Sequence, residues 1–404
     1  MMTLKNALFI LALFTFTFTF AQEKKENPFS FKWDNGFKLE SADKNFKFKF
    51  GGRIMADYAF FSQNDNLETA FGALKTKNGT EIRRARFFLS GTLYKNVVFK
   101  WDLGFEGGVI AFKDMYLGLK NIPVIGNIRV GNVKEPLRLE MLTSSKYITF
   151  MERSLISDFA PTRNNGILIF NEFSNKKIGV QAGLFRNADD KTANDKKAND
   201  GYVFTGRITG LPINNKDNKQ ILHIGVGYSH RKPDTKEYKV SSRPEAHLSS
   251  QKYITTGAID NVDNINLLNL EAAFVTGSLS FQAEYLAAKV NAIENYSFSS
   301  YYGQVSYFLT GESKKYKSSY GGFNRVKPQH NFGNGGTGAW EVAFRYSNSD
   351  LNSETILGGE QSDITLGVNW YLNPSTRIMF NNVIADVKDK GKANIFQVRF
   401  QVDF

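Results

Sequence analysis

Five basic residues, Lys134, Arg138, Lys146, Arg153 and Arg163, fall within one stretch of the chain, 131–165. Arg offers a planar fork that grips an oxyanion through two parallel hydrogen bonds, whereas Lys offers a compact point charge. Together they could hold or steer phosphate-like anions. Four carboxylates, Glu135, Glu140, Glu152 and Asp158, alternate with them, so Arg138 and Arg153 could instead pair with these acids and pin the segment. Its Leu137, Leu139, Met141, Leu142, Ile148, Phe150 and Met151 are too apolar for a solvated loop. That composition predicts a segment folded back against a wall.

A second set of charges recurs at alternate positions of extended runs. Lys47, Lys49, Arg53, Arg84, Arg86, Lys100, Arg207, Arg231, Arg345, Arg377 and Arg399 share one parity with Asp57, Asp102, Glu106, Glu271, Glu284, Glu341, Asp363 and Asp403. Enzymatic chemistry has no such support. His223, His230, His247 and His330 show no metal-ligand spacing, and no G-x-S-x-G turn is present. The absence of cysteine excludes thiolate nucleophiles, thiolate metal sites and disulfides. No catalytic residue, metal ion or cofactor is expected, and His223 reads as a pore-lining polar residue. A net charge of +12 would suit nucleic acid, but the bases are spread along strands and the N-terminus is secretory, so no nucleic-acid partner is expected.

The elements that carry these charges are strands. The chain ends Phe396-Gln397-Val398-Arg399-Phe400-Gln401-Val402-Asp403-Phe404, a strict alternation that puts apolar residues on one face and polar ones on the other. The same period of two runs through 46–60, 84–106, 222–229, 279–285, 340–347 and 363–370. Such runs predict an all-β chain: a transmembrane antiparallel β-barrel of about 16 strands, apolar toward lipid and polar toward a wet lumen. A charge facing lipid at mid-membrane costs ~2–4 kcal/mol, which is why the bases must share the inward parity. A soluble β-sandwich also alternates, yet here the apolar face recurs strand after strand with no second sheet to cover it.

Lys5, the apolar core Leu8 to Phe20 and the small-x-small site Thr19-Phe20-Ala21 predict a signal peptide over 1–21. Residues 22–45 are expected to form a short periplasmic extension with little structure of its own, and 46–404 the outer-membrane barrel. Tight turns are expected at Lys95-Asn96, Asn175-Lys176, Thr276-Gly277 and Asn373-Pro374, and long loops near 61–80, 135–165, 187–200, 232–265 and 348–361. Residues 310–338 do not fit: they are long and Gly-rich on the side that should carry short turns.

Three segments carry a family resemblance. They are the stretch 131–165, Gly321-Gly322-Phe323-Asn324-Arg325-Val326-Lys327-Pro328, and Gly338-Ala339-Trp340-Glu341-Val342-Ala343-Phe344-Arg345-Tyr346-Ser347. They resemble the phosphate-selective porin O and P family, and the similarity runs from about residue 46 to Phe404. The resemblance implies a trimer of sixteen-stranded outer-membrane barrels with an inward-folded third loop as the constriction, passing phosphate or polyphosphate along lumenal bases. Lys134, Lys146, Arg153, Arg325, Lys327 and Arg345 lie in the matching motifs.

The expected function is a water-filled diffusion channel for small solutes, preferring anions such as phosphate. Anion contacts are expected from Lys134, Arg138, Lys146, Arg153 and Arg163, with Arg86 and Lys100 as wall partners and Arg345 as a further base. The alternative is a structural or adhesive barrel in which the loops near 61–80 and 232–265 bind partners outside.

Overall fold

The computed structural model describes residues 28–404, except 35, 161, 190, 196–200, 216, 218, 319–320 and 334. The signal peptide expected over 1–21 lies outside the described residues. Sixteen antiparallel strands run in chain order from Lys47–Gln63 to Gly391–Asp403, each paired with the next. The last strand pairs with the first, from Asp403↔Arg53 to Ala393↔Gln63, which closes the barrel. Along the first strand Ile54, Tyr58 and Phe60 are exposed on the outside, while Arg53, Met55, Asp57 and Ala59 are buried inside. On the last strand, Phe396, Phe400 and Val402 face out, and Gln397, Arg399, Gln401 and Asp403 are buried. Parity therefore decides which residues meet lipid and which meet the lumen.

Closure depends on two glycines. The Gly52 amide donates to the Phe404 carbonyl at 2.7 Å, and the Phe404 amide donates back to Gly52 at 3.1 Å. A Cβ on neighbouring Gly51 would stand 2.1 Å from the Phe404 carbonyl oxygen, so only glycine admits this approach. Below Phe404 the edge of the first strand would be bare. The hairpin Phe29–Trp33/Phe37–Ser41 covers it, pairing Phe37 through Glu40 with Phe50 through Lys47. The described part of the extension is thus ordered strand, contrary to the expectation of little structure. Its Phe, Leu and Trp residues alternate, which was the available signal.

The tight turns fall where composition placed them, on the side of the termini. On the opposite side the connections 64–77, 135–162, 187–201 and 233–263 are long. The loop expected near 348–361 does not exist. The strands Ala339–Ser353 and Ile356–Asn373 run through it, Ser353 pairing with Ile356 around a two-residue turn. Its Asn, Ser and Asp residues are polar because the strand tips stand clear of lipid, not because they are loop. Residues 309–338 prove to be one large connection between Asn295–Phe308 and Ala339–Ser353. Among its described residues it carries a small hairpin, Lys315–Lys317/Gly322–Asn324.

Candidate functional site

One side of the lumen is filled. Leu137, Ile156 and Phe159 of the connection 135–162 pack with Val240, Tyr253, Ile254, Ile259 and Val262 of the connection 233–263. Both rest on Ile265, Leu267, Leu286, Val290 and Phe298, inward residues of strands Asn264–Thr276, Leu279–Asn291 and Asn295–Phe308. Each such side chain contributes about 1.5–3 kcal/mol on leaving water. The barrel therefore contains a hydrophobic core of the kind found inside soluble proteins.

Charge fixes what the core seats. Glu152 receives two hydrogen bonds from Arg83, both at 2.8 Å, and one from Arg399 at 2.8 Å. Glu135 receives two from Arg231 at 2.7 and 3.1 Å and one from Thr205 at 2.9 Å. Glu140 pairs with Arg345 at 3.3 Å and accepts the Ser154 amide and hydroxyl at 3.1 and 2.8 Å. The wall carboxylate Glu284 accepts the amides of Leu139 and Glu140 at 3.0 and 2.8 Å, holding the start of the short helix Leu139–Leu142. The loop backbone is gripped as well. Arg377 donates to the Ile148 carbonyl at 2.9 Å, Asn369 to Thr149 at 2.8 Å, and Gln401 to Lys146 at 3.1 Å.

Two further segments complete the filling. From 233–263, Glu245 accepts from Arg345, Ser347 and Thr365. From 309–338, entering at the end that holds the termini, Phe323 donates its amide to Thr143 at 3.2 Å, so this connection meets the loop 135–162 inside the barrel. Arg207 donates to the Gly321 carbonyl at 2.8 Å, and Tyr316 hydrogen-bonds His223 at 2.8 Å. His223 is thereby covered rather than pore-lining, because the connection 309–338 lies over it.

Open space remains along the other wall, built by the strands from Lys47–Gln63 to Ile178–Arg186. Two adjoining cavities of about 1130 and 770 Å³ share Lys38, Lys49, Ser90, Tyr116, Arg129 and Phe170 in their linings. Thirteen Lys and Arg side chains but only six Asp and Glu line the larger one, so its walls are electropositive. Arg84 is buried there with no hydrogen bond or ion pair among the described residues, its Nε included. Arg129 lies between the rings of Tyr116 and Phe170, at 4.7 and 4.6 Å.

Of the residues singled out by sequence, Lys134, Arg153, Arg163, Arg86 and Lys100 line this corridor. Lys100 also contacts Asp114 at 2.6 Å, Arg163 contacts Asp114 at 2.6 Å, and Arg86 contacts Glu106 at 2.8 Å. Lys134 donates to the Met141 carbonyl at 2.6 Å and Arg153 to those of Glu140 and Thr143 at 3.1 and 3.0 Å. Arg138, Lys146 and Arg345 lie elsewhere. Arg138 is buried and donates to the Ile156 carbonyl, and Arg345 is buried over the Phe150 ring. Lys146 faces Asp403 at 3.2 Å, where burial outweighs that carboxylate and brings its ammonium down to about 8. Sequence reasoning missed Arg83, which takes part because a bulge between Met55 and Ala56 lets it and Arg84 both turn inward. Adjacent arginines in a strand with an apolar outer face require such a bulge, and that was the signal.

The profile of the family described as phosphate-selective porin O and P matches residues 48–404. Porin O of Pseudomonas aeruginosa is 30% identical, the alignment covering 86% of this chain and 84% of that one. Among solved structures, the anion-selective porin from Comamonas acidovorans superposes with a TM-score of 0.54 at 13% identity, covering 89% of this chain and all of that one. The outer-membrane protein OmpT of Vibrio cholerae, in its trimer form, does so with a TM-score of 0.54 at 12% identity, covering 89% and 99%. These two structural likenesses concern the fold.

Glu152 tests the clamp. Burial would raise its carboxyl, but Arg83 and then Arg399 outweigh burial and hold it well below the usual carboxylate range. Its stabilisation is therefore complete above the ordinary Glu pKa of about 4.3 and fades only as pH falls through the depressed folded value. Glu152→Gln strands Arg83, while Arg399 keeps Asp57 at 2.6 Å, and is expected to cost about 3–5 kcal/mol at neutral pH. A lower melting temperature and a larger, noisier single-channel conductance are expected. Unchanged melting and conductance would contradict the clamp.

Proposed function

The chain belongs to the phosphate-selective porin O and P family, and on that premise we propose that its corridor conducts small anions of the phosphate class. It is an outer-membrane porin, a water-filled channel through a β-barrel. The observation that carries the anion reading is the division of charge across the lumen. Glu135, Glu140 and Glu152 of the loop 135–162 are taken up by arginines, whereas the corridor keeps a two-to-one excess of bases. An anion entering it meets Arg84, which has no hydrogen bond or ion pair among the described residues, then Arg86 beside Glu106, then Lys100 and Arg163, which share Asp114, then Arg129 and Lys49. Several moderate sites in series permit transit, where one tight site would arrest it. Lys134 and Arg153 serve both the loop and the corridor. Arg138, Lys146 and Arg345 hold the loop in place.

The adhesive alternative loses one of its two surfaces. The connection 233–263, which would have to reach partners outside, is packed into the lumen.

Reversal potentials in asymmetric potassium chloride and phosphate test the assignment. Arg84→Gln is expected to shift the preference away from anions, while Lys146→Gln, outside the corridor, leaves it nearly unchanged. The opposite ranking in folded channels would refute this reading. Family membership and the trimer form of the Vibrio cholerae protein support three barrels per assembly. Native mass spectrometry is expected to return three copies, and a monomer would refute the trimer.

A further inference from the structure

The hairpin Phe29–Trp33/Phe37–Ser41 leaves an aromatic face uncovered. Phe29, Phe31 and Trp33 are 40, 62 and 52% exposed. Register identifies the face. Trp33 pairs with Phe37, which pairs with Phe50 on the lipid-facing side of the first barrel strand. The rings follow suit: Phe31 stacks on Phe37 at 5.5 Å, Trp33 meets Phe37 edge-on at 4.9 Å, and Phe37 stacks on Phe50 at 5.0 Å. The lipid-facing surface thus continues without a break from the barrel wall onto the hairpin.

We propose that this hairpin docks on the periplasmic leaflet of the outer membrane, seating Phe31 and Trp33 at the boundary between phospholipid headgroups and acyl chains. Three observations converge on that occupant. The face is continuous with a surface that lipid already covers, and it lies just beyond Phe404, where the wall ends. Its residues are those that membrane barrels gather into interfacial girdles. The adjoining turn adds Tyr94, which is 69% exposed and packs on Phe46 at 5.1 Å. Exposed Lys44 and Lys95 stand beside it, with no ion pair among the described residues, where lipid phosphates would lie.

A chain with four tryptophans and no cysteine makes the test direct. The full-length variant Trp101→Phe/Trp340→Phe/Trp370→Phe leaves Trp33 as the sole indole. It would be reconstituted in vesicles of phosphatidylethanolamine and phosphatidylglycerol with and without brominated acyl chains. Blue-shifted Trp33 emission, with strong loss of intensity in the brominated vesicles, is expected. Red-shifted emission insensitive to bromine, in protein that migrates as a folded barrel, would overturn the proposal. Phe31→Cys carrying a nitroxide, in the otherwise unchanged chain, covers failure of the triple variant to fold. Greater access to oxygen than to a water-soluble nickel chelate is expected. The reverse order, or ready Phe31→Cys cross-linking between protomers, would assign the face to water or to a second copy and defeat the lipid reading.

Discussion

A carboxylate confined in a narrow lumen needs a partner, and the whole interior is arranged by that requirement. The loop 135–162 brings Glu135, Glu140 and Glu152 inside, and Arg231, Arg345, Arg83 and Arg399 wait on the wall at matching heights. The strands cannot turn those arginines outward without a cost of ~2–4 kcal/mol each in lipid. Nor can they leave them bare inside without the penalty of an unpaired buried charge. Acids delivered by the loop resolve both constraints. Removing Glu135 strands Arg231 and removing Glu152 strands Arg83, so loop position and barrel interior are specified together.

This pairing is lopsided, and the lopsidedness creates the channel. The clamped loop leans toward the strands from Tyr202–Asn215 onward, where apolar residues such as Leu267, Leu286 and Phe298 receive it. What stays open is the wall from Lys47–Gln63 to Ile178–Arg186, whose bases are only partly offset by Asp102, Glu106 and Asp114. Low-dielectric surroundings weaken screening there, so a mobile anion feels those bases more strongly than it would at an exposed surface. Arg129 is held by cation–π contact with the rings of Tyr116 and Phe170.

Parity made much of this legible. Phe396 through Phe404 announced lipid on one side and polarity on the other, and Arg207, Arg231, Arg377 and Arg399 lie inside as their positions required. The apolar residues of 135–159 announced a loop that could not stay in water. Other features were hidden for physical reasons. Whether a lumenal base faces a carboxylate or open water depends on which wall the loop leans against, and no local pattern encodes that, so Arg138 and Arg345 read like Lys134 and Arg163. Two signals were present but weak. Ile265 and Leu267 are apolar on the inward parity, beside outward Leu268 and Leu270, and a strand apolar on both faces requires something packed inside. Polar strand tips at 348–361 looked like loop because alternation fades once a strand leaves the membrane.

Thiol accessibility tests most directly whether conduction follows the basic wall. Ser90 lines both cavities of the corridor, whereas Ser347 is buried on the opposite wall and donates to Glu245 at 2.6 Å. With no native cysteine to interfere, Ser90→Cys and Ser347→Cys would each be exposed to an anionic methanethiosulfonate during single-channel recording. Rapid modification with a step down in current is predicted at position 90, and no modification at 347. Equal reactivity at both positions, or block through 347 alone, would contradict a channel confined to the corridor.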